Sequence, residues 1–164
     1  MKKGTITIIA VAAVVLGCIL WLKGAYNGMV TAEEGVSAAW SQVENVYQRR
    51  ADLIPNLVAT VKGYASHEQQ TLEGVVSARS KATQITLDAE NLTPDKLAEY
   101  QKAQGELGAA LGKLLAITEN YPELKANENF LSLQSQLEGT ENRIAVERKK
   151  FNEVARNYNT EIRQ

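Results

Sequence analysis

The distribution of apolar residues divides the chain into two parts. Residues 6–22 form an apolar run that is broken only by Thr7 and preceded by Lys2 and Lys3. From Glu33 onward, apolar residues instead recur at alternating spacings of three and four among polar and charged residues. As a helix the first run would be about 25 Å long, near the short end of lengths that cross a bilayer core. The pattern predicts an N-terminal membrane anchor followed by a helical body in water.

The predicted anchor has several possible fates. Trp21 lies where an aromatic residue at the membrane interface is expected. Residues 15–18 (Val-Leu-Gly-Cys) approximate a lipobox, which would make Cys18 a lipidation site, and cleavage elsewhere is a further alternative. The chain stays apolar after Cys18, which favours an uncleaved anchor. The residues expected to contact lipid are Ile6, Ile9, Val14, Leu16, Ile19, Leu20, Trp21 and Leu22.

Positive charge near the anchor favours one orientation. Lys2, Lys3 and the α-amine lie on the N-terminal side of the run, and Lys23 alone lies close by on the other side. Because positive residues are retained in the cytoplasm, we expect a cytoplasmic N-terminus and an exported body.

Four body helices are predicted, over about 33–51, 56–85, 93–121 and 127–164. Pro55 interrupts the pattern after the first of these, since a proline inside a helix costs about 3 kcal/mol. Either the helix kinks there or, as we expect, the chain turns within residues 52–56. The residues predicted to face the core are Val36, Trp40, Val43, Tyr47, Leu57, Val61, Tyr64, Leu72, Val75, Ala82, Leu97, Tyr100, Gln104, Leu107, Leu111, Leu114, Thr118, Tyr121, Phe130, Leu133, Leu137, Thr140, Ile144, Glu147, Phe151, Val154 and Tyr158.

The spacing and the short connections together predict a fold. Sustained three-and-four spacing indicates coiled-coil-like packing, and short connections indicate antiparallel neighbours. The predicted fold is all-α: an N-terminal transmembrane helix followed by an antiparallel up-and-down four-helix bundle with long, coiled-coil-like helices. The expected divisions are an anchor over 1–25, a short juxtamembrane elbow over 26–32 and the bundle over 33–164.

Charge and ligand chemistry exclude several functions. Without residues 1–31 the chain has 15 basic and 19 acidic side chains, a net charge of −4. This argues against nucleic acid as a partner. His67 is the only histidine and Cys18 the only cysteine, so the ligands of a zinc site are missing. We therefore assign no catalytic residue, metal or cofactor.

The predicted turn is one candidate partner site. It carries Arg49, Arg50, Asp52, Pro55 and Asn56, which could dock a partner at one end of the bundle. Alternatively, the basic residues offset the dipole of the preceding helix, and Asp52 or Asn56 caps the next.

Other residues are candidates for register or oligomer contacts. Gly105, Gly108 and Gly112 give the third helix a smooth face that permits close approach of another helix, within the bundle or between protomers.

Three further side chains stand out by position. Glu147 occupies a core-facing position, where we expect it to pair with Arg79 or Arg148 and to fix helix register. Alternatively, the helix diverges locally and lets Glu147 reach water. Tyr26 and Tyr158 would lie near one membrane interface if the first and last body helices end together.

Several blocks resemble one family. Residues 48–58 (Gln-Arg-Arg-Ala-Asp-Leu-Ile-Pro-Asn-Leu-Val), with 61–64 and 67–68, are similar to the signature of the bacterial LemA family. Residues 119–130 and the stretch from 133 to 160 agree with it in order. The resemblance implies a membrane-anchored helical bundle that faces outward, with no settled biochemical activity and no catalytic residues to carry over.

Two functions remain as hypotheses. The first is a non-enzymatic scaffold or adaptor of the bacterial cell envelope, which contacts lipid through its anchor and associates with copies of itself. It would lie in the cytoplasmic (inner) membrane as a single-pass protein with a periplasmic or extracellular body, or be a lipoprotein held through Cys18. The alternative is an accessory or regulatory subunit of a membrane enzyme, such as a quality-control peptidase.

Overall fold

All regular structure in the described part of the chain is helical. The computed structural model describes residues 3–87 and 92–163. The helices are α1 (Lys3–Tyr64), α2 (Gln69–Gln84), α3 (Pro94–Thr118), α4 (Pro122–Lys125) and α5 (Glu128–Glu161). The prediction of an all-α fold with a long apolar N-terminal helix is confirmed.

Two helix starts follow from their capping residues. The Thr93 hydroxyl accepts a hydrogen bond from the Lys96 N–H, and Pro94 occupies the first helical position, where its missing N–H costs nothing. The side chain of Asn127 accepts from the Phe130 N–H in the same way. Both starts were predicted from the sequence.

The predicted turn at Pro55 is wrong, because α1 continues through it. Pro55 has no N–H, so the carbonyl oxygen of Ala51 loses its usual donor within the helix. The Nε of Arg79, on α2, donates to that oxygen at 2.8 Å. A charged side chain thus replaces the missing backbone donor, and the helix persists.

The chain turns later than predicted. Residues 65–68 connect α1 to α2, so the first predicted body helix and the first nine residues of the second, 56–64, belong to one helix. Residues 26–32, predicted as an elbow, are also helical and lie within α1. α1 therefore runs from the anchor to the far end of the body without interruption.

α1 and α5 lie side by side along the body. A Cβ added to Gly28 would lie 3.7 Å from Oε1 of Glu161. Nη1 of Arg50 lies 2.9 Å from Oε1 of Glu141. Later positions in α1 thus meet earlier positions in α5, and the C-terminal end of α5 is nearest the anchor.

The core has two adjoining parts. The part nearer the anchor is aromatic and centres on Trp40, Tyr47, Tyr100 and Phe151. The other is mainly aliphatic and combines the end of α1, from Ile54 onward, with α2, α3, α4 and the start of α5. All the predicted core-facing residues are buried or half-buried except Tyr64, which is 42% exposed.

The bond between Arg79 and Ala51 can be tested by a double-mutant cycle. We expect Arg79→Met to lower the free energy of unfolding by about 1–3 kcal/mol, because the Ala51 carbonyl then loses its donor. In a Pro55→Ala background the loss should be much smaller, since residue 55 then supplies an N–H. Chemical denaturation of the four proteins in detergent measures the coupling. Equal losses in both backgrounds would contradict this explanation.

Candidate functional site

The N-terminal third of α1 exposes a row of large apolar side chains. Ile9, Val14, Leu16, Ile19, Leu20, Trp21 and Leu22 are each more than half exposed, and the side chain of Ile6 lies outside the described part of the structure. Exposure of so much apolar surface to water costs about 25 cal/mol per Å². α1 is long and apolar enough to cross a membrane. Cys18 lies in this segment as an exposed free thiol.

Arg50 is buried at the centre of the body and does not lie on a docking turn. Its side chain is 3% exposed. Nη2 donates to the backbone oxygen of Gln104 at 3.0 Å and also to its Oε1, and Nη1 donates to Glu141 at 2.9 Å. The guanidinium carbon lies 5.1 Å from the centre of the Tyr47 ring. The prediction that Arg50 belongs to an exposed docking site is therefore wrong.

The other residues of the predicted turn lie on the outside of α1. Arg49, Asp52, Pro55 and Asn56 are exposed. Asp52 accepts a hydrogen bond from Nε2 of Gln48 at 2.8 Å and caps no helix. These residues therefore occupy the side of a long helix rather than one end of the body.

Gln104 extends the contacts of Arg50 to a further helix. Its Nε2 donates to the backbone oxygen of Ala82 at the end of α2, at 3.4 Å. The Arg50 cluster, defined here as Arg50, Gln104, Glu141 and Tyr47, thus bonds α1, α3 and α5 to one another and to α2.

The glycines of α3 have different surroundings. A Cβ on Gly108 would lie 3.8 Å from Nη1 of Arg50, so the helix passes close to the guanidinium there. Gly105 and Gly112 are exposed and meet nothing within 4 Å. Only Gly108 of the three faces the Arg50 cluster.

The remaining candidate contacts lie along α5. Glu147 accepts from Nζ of Lys150 at 2.8 Å, so the predicted partners Arg79 and Arg148 are wrong. The neighbouring lysine can reach it because the Glu147 side chain is 20% exposed. Tyr158 is half-buried and Tyr26 is 64% exposed. Their predicted common place at a membrane interface stays a prediction.

The aromatic part of the core joins three elements. The Trp40 ring packs edge-on against Tyr100 at 5.5 Å and Phe151 at 5.2 Å, and Nε1 donates to the backbone oxygen of Leu87 at 2.6 Å. Burial, with a smaller contribution from Glu44, raises the pKa of Tyr100 to about 12. The folded state therefore holds the Tyr100 proton more tightly than the unfolded state does. The resulting contribution to the free energy of unfolding is complete below about pH 10, the ordinary tyrosine pKa. That contribution is lost as pH rises towards 12.

Two grooves line the body. The outer groove, of about 660 Å³, lies between α1 and α2. Its lining includes the apolar Val58, Leu72 and Val76 and the charged Lys62, Glu73 and Lys81. The inner groove, of about 780 Å³, lies near the anchor between α1, α5 and the start of α3. Both have sizes that suit a small ligand or a peptide segment.

The two grooves are lined by apolar and polar side chains. Within residues 3–87 and 92–163, no group of three or more His, Cys, Asp or Glu side chains is placed to hold a metal ion. The groups available to a partner are apolar side chains, hydroxyls and solvated charges.

Arg50 and Arg49 form a natural pair for a stability test. We expect Arg50→Ala to lower the free energy of unfolding by about 3–5 kcal/mol, because buried polar groups lose their partner. Arg49→Ala, on the exposed side of the same turn, should change it by no more than about 0.5 kcal/mol. Thermal and chemical unfolding of both variants measures the difference. Similar small changes in both would mean that Arg50 is not a structural residue.

Known proteins resemble this chain over most of its length. The model of the LemA family matches residues 39–164. The magnetosome protein MamQ 1 of Paramagnetospirillum magneticum is 30% identical over 90% of this chain and 61% of its own length. The MamQ protein of Magnetospirillum gryphiswaldense is 30% identical over 84% of this chain and 57% of its own length. Protein LemA of Metamycoplasma hominis is 24% identical over 85% of this chain and 60% of its own length.

These matches cover most of this chain but only part of each relative. The chain spans about three-fifths of the length of the curated relatives that it matches. The family match begins within α1 and includes α2 to α5. The exposed apolar part of α1 and these relatives together indicate a membrane-associated protein. The chain belongs to the LemA family.

Proposed function

We propose that this protein is a non-enzymatic, membrane-anchored scaffold or adaptor of the bacterial cell envelope. The observation that carries the proposal is the continuity of α1 from Lys3 to Tyr64. The distance from Leu22 to Tyr64 along a straight helix is about 63 Å. The anchor and the body share one helix, so a partner bound to the body is held at a defined distance from the membrane.

The proposed body is an antiparallel up-and-down four-helix bundle of α1, α2, α3 and α5. The opposite order of contacts along α1 and α5 supports this arrangement. The four-residue connection between α1 and α2 supports it as well, because short connections favour antiparallel neighbours. The Arg50 cluster reaches all four long helices through its hydrogen bonds.

The proposed location is the cytoplasmic (inner) membrane, with one membrane-spanning helix and the body on the outer side. The charge difference between Lys2 and Lys3 on one side and Lys23 on the other supports this orientation. Lipidation of Cys18 is the alternative form of attachment.

Self-association is part of the proposal. Anchored bodies share a two-dimensional surface, where a high local concentration makes weak lateral contacts effective. Gly105 and Gly112 are exposed on α3 and allow another helix to approach closely. The exposed apolar face of the anchor offers a second contact between protomers.

A second candidate function is an accessory subunit of a membrane enzyme. The turn that first suggested it is absent, since its residues lie along α1. The outer groove now supports this candidate, because it combines apolar lining with Lys62, Lys81 and Glu73 and suits an amphipathic helical segment. An enzyme that copurifies in a fixed ratio would favour this function over self-assembly.

The mass of the protein in mild detergent tests the scaffold. We expect the full chain to form an assembly larger than a monomer, since its anchor contributes to the contacts. The body over 31–164 should be smaller, because it lacks the anchor. Light scattering coupled to size-exclusion chromatography measures both masses. A monomeric full chain would contradict self-association and direct attention to a different partner protein.

A further inference from the structure

The end of α5 lies beside the segment that enters the membrane. Glu161 lies opposite Gly28 on α1, at 3.7 Å from the position of a Cβ. Trp21 precedes Gly28 by seven residues, which is close to two helical turns, and therefore lies on the same side of α1. Ile162 follows Glu161 directly. It lies about 9 Å along the axis from Trp21, the expected interfacial residue.

The turn after α5 has an ordered backbone and an exposed apolar side chain. The N–H of Ile162 donates to the Tyr158 oxygen at 3.1 Å, and the N–H of Arg163 donates to the Thr160 oxygen at 3.3 Å. Ile162 is 46% exposed. Two other exposed aliphatic side chains on α5, Leu131 and Val146, lie far from the anchor. Ile162 is therefore close enough to the anchor to contact the membrane, whereas Leu131 and Val146 are not.

The basic side chains near this turn favour contact with an anionic membrane surface. Arg163 and Lys23 are both exposed at the level of the anchor's end. Glu161 is an acidic residue of this end, and its carboxylate is directed at Gly28 on α1. Basic side chains beside a membrane end are attracted by anionic headgroups.

The dimensions allow direct contact. The polar layer of a bilayer is roughly 5–8 Å thick on each side of the hydrocarbon core. Membrane helices are tilted by about 20° on average. If α1 tilts by this angle toward α5, which packs about 10 Å away, the end of α5 moves about 3 Å closer to the bilayer. Ile162 and Arg163 then reach the headgroup layer.

We propose that the Ile162–Arg163 turn is a second membrane contact, which inserts Ile162 among the headgroups and binds anionic lipid through Arg163. This goes beyond the proposed function and rests on the membrane anchoring within it. The contact holds α5 against the bilayer. It fixes the body's rotation about the anchor, so that every protomer presents the same faces sideways to its neighbours.

Depth-dependent quenching in vesicles tests the contact. In full-length protein carrying Cys18→Ser, a single fluorescent label is attached through Ile162→Cys or, as the matched control, Val146→Cys. Val146 is also exposed on α5 but lies about 24 Å farther from the anchor. In vesicles of phosphatidylcholine and phosphatidylglycerol with headgroup nitroxides, we expect a loss of emission at 162 and none at 146. Equal emission at both positions would overturn the proposal.

The lipid preference has its own comparison. Quenching at 162 should fall in vesicles of phosphatidylcholine alone. Arg163→Glu should remove this dependence on phosphatidylglycerol, and Arg143→Glu, an exposed arginine of α5 far from the anchor, should leave it unchanged. Equal quenching at 162 with and without phosphatidylglycerol would overturn the proposal that Arg163 binds anionic lipid.

The anchor is tested separately in the same vesicles. A label on the native Cys18 should be quenched by nitroxides on the acyl chains. Quenching at Cys18 without quenching at 162 would overturn only the second contact. An unquenched label at Cys18 would overturn both this contact and the membrane anchoring of the proposed function.

Discussion

The architecture depends on one hydrogen bond at a proline. Pro55 leaves the carbonyl oxygen of Ala51 without its helical donor, and Arg79 of α2 supplies a replacement. Without it, a buried carbonyl next to the core would favour a break in the helix. With it, α1 continues for nine residues beyond Pro55 and ends at Tyr64. The same bond also holds α2 against α1, so helix continuity and helix packing are stabilised together.

The Arg50 cluster supplies a second constraint of a different kind. A buried guanidinium is costly to desolvate, and this cost is offset only by the hydrogen bonds that it makes to several polar groups. Here it joins α1 to α3 and α5, and Gln104 extends the connection to α2. Apolar contacts alone allow helices to slide or rotate, whereas these hydrogen bonds hold at one register only. We infer that the cluster fixes how the helices align.

Much of the packing could be predicted from spacing, because burial follows the three-and-four pattern. The starts at Thr93 and Asn127 could be predicted too, since their caps are local. The path through Pro55 could not be predicted from the proline alone, because a residue distant in sequence replaces its hydrogen bond. A signal was nevertheless present, since the core spacing continues unbroken through Tyr47, Arg50, Ile54 and Leu57. The positive charge of Arg50 favours a surface position, and this preference obscures the continuity of the spacing.

The pairing partners of long side chains near the surface were the least predictable feature. Glu147 occupies a core-facing position, yet enough of it reaches solvent for Lys150 to pair with it. Such partners depend on rotamers and on small differences in exposure, which spacing does not specify.

The continuity of α1 can be measured most directly by the distance across Pro55. Spin labels at Asn45 and Gly63, both exposed, lie five helical turns apart on one side of α1. With Cys18 replaced by Ser, pulsed electron paramagnetic resonance should give a distance of about 27 Å between the label sites. A turn at 52–56 would instead bring the two sites side by side, about 10 Å apart. That shorter distance would contradict a single helix from the membrane to the far end of the body.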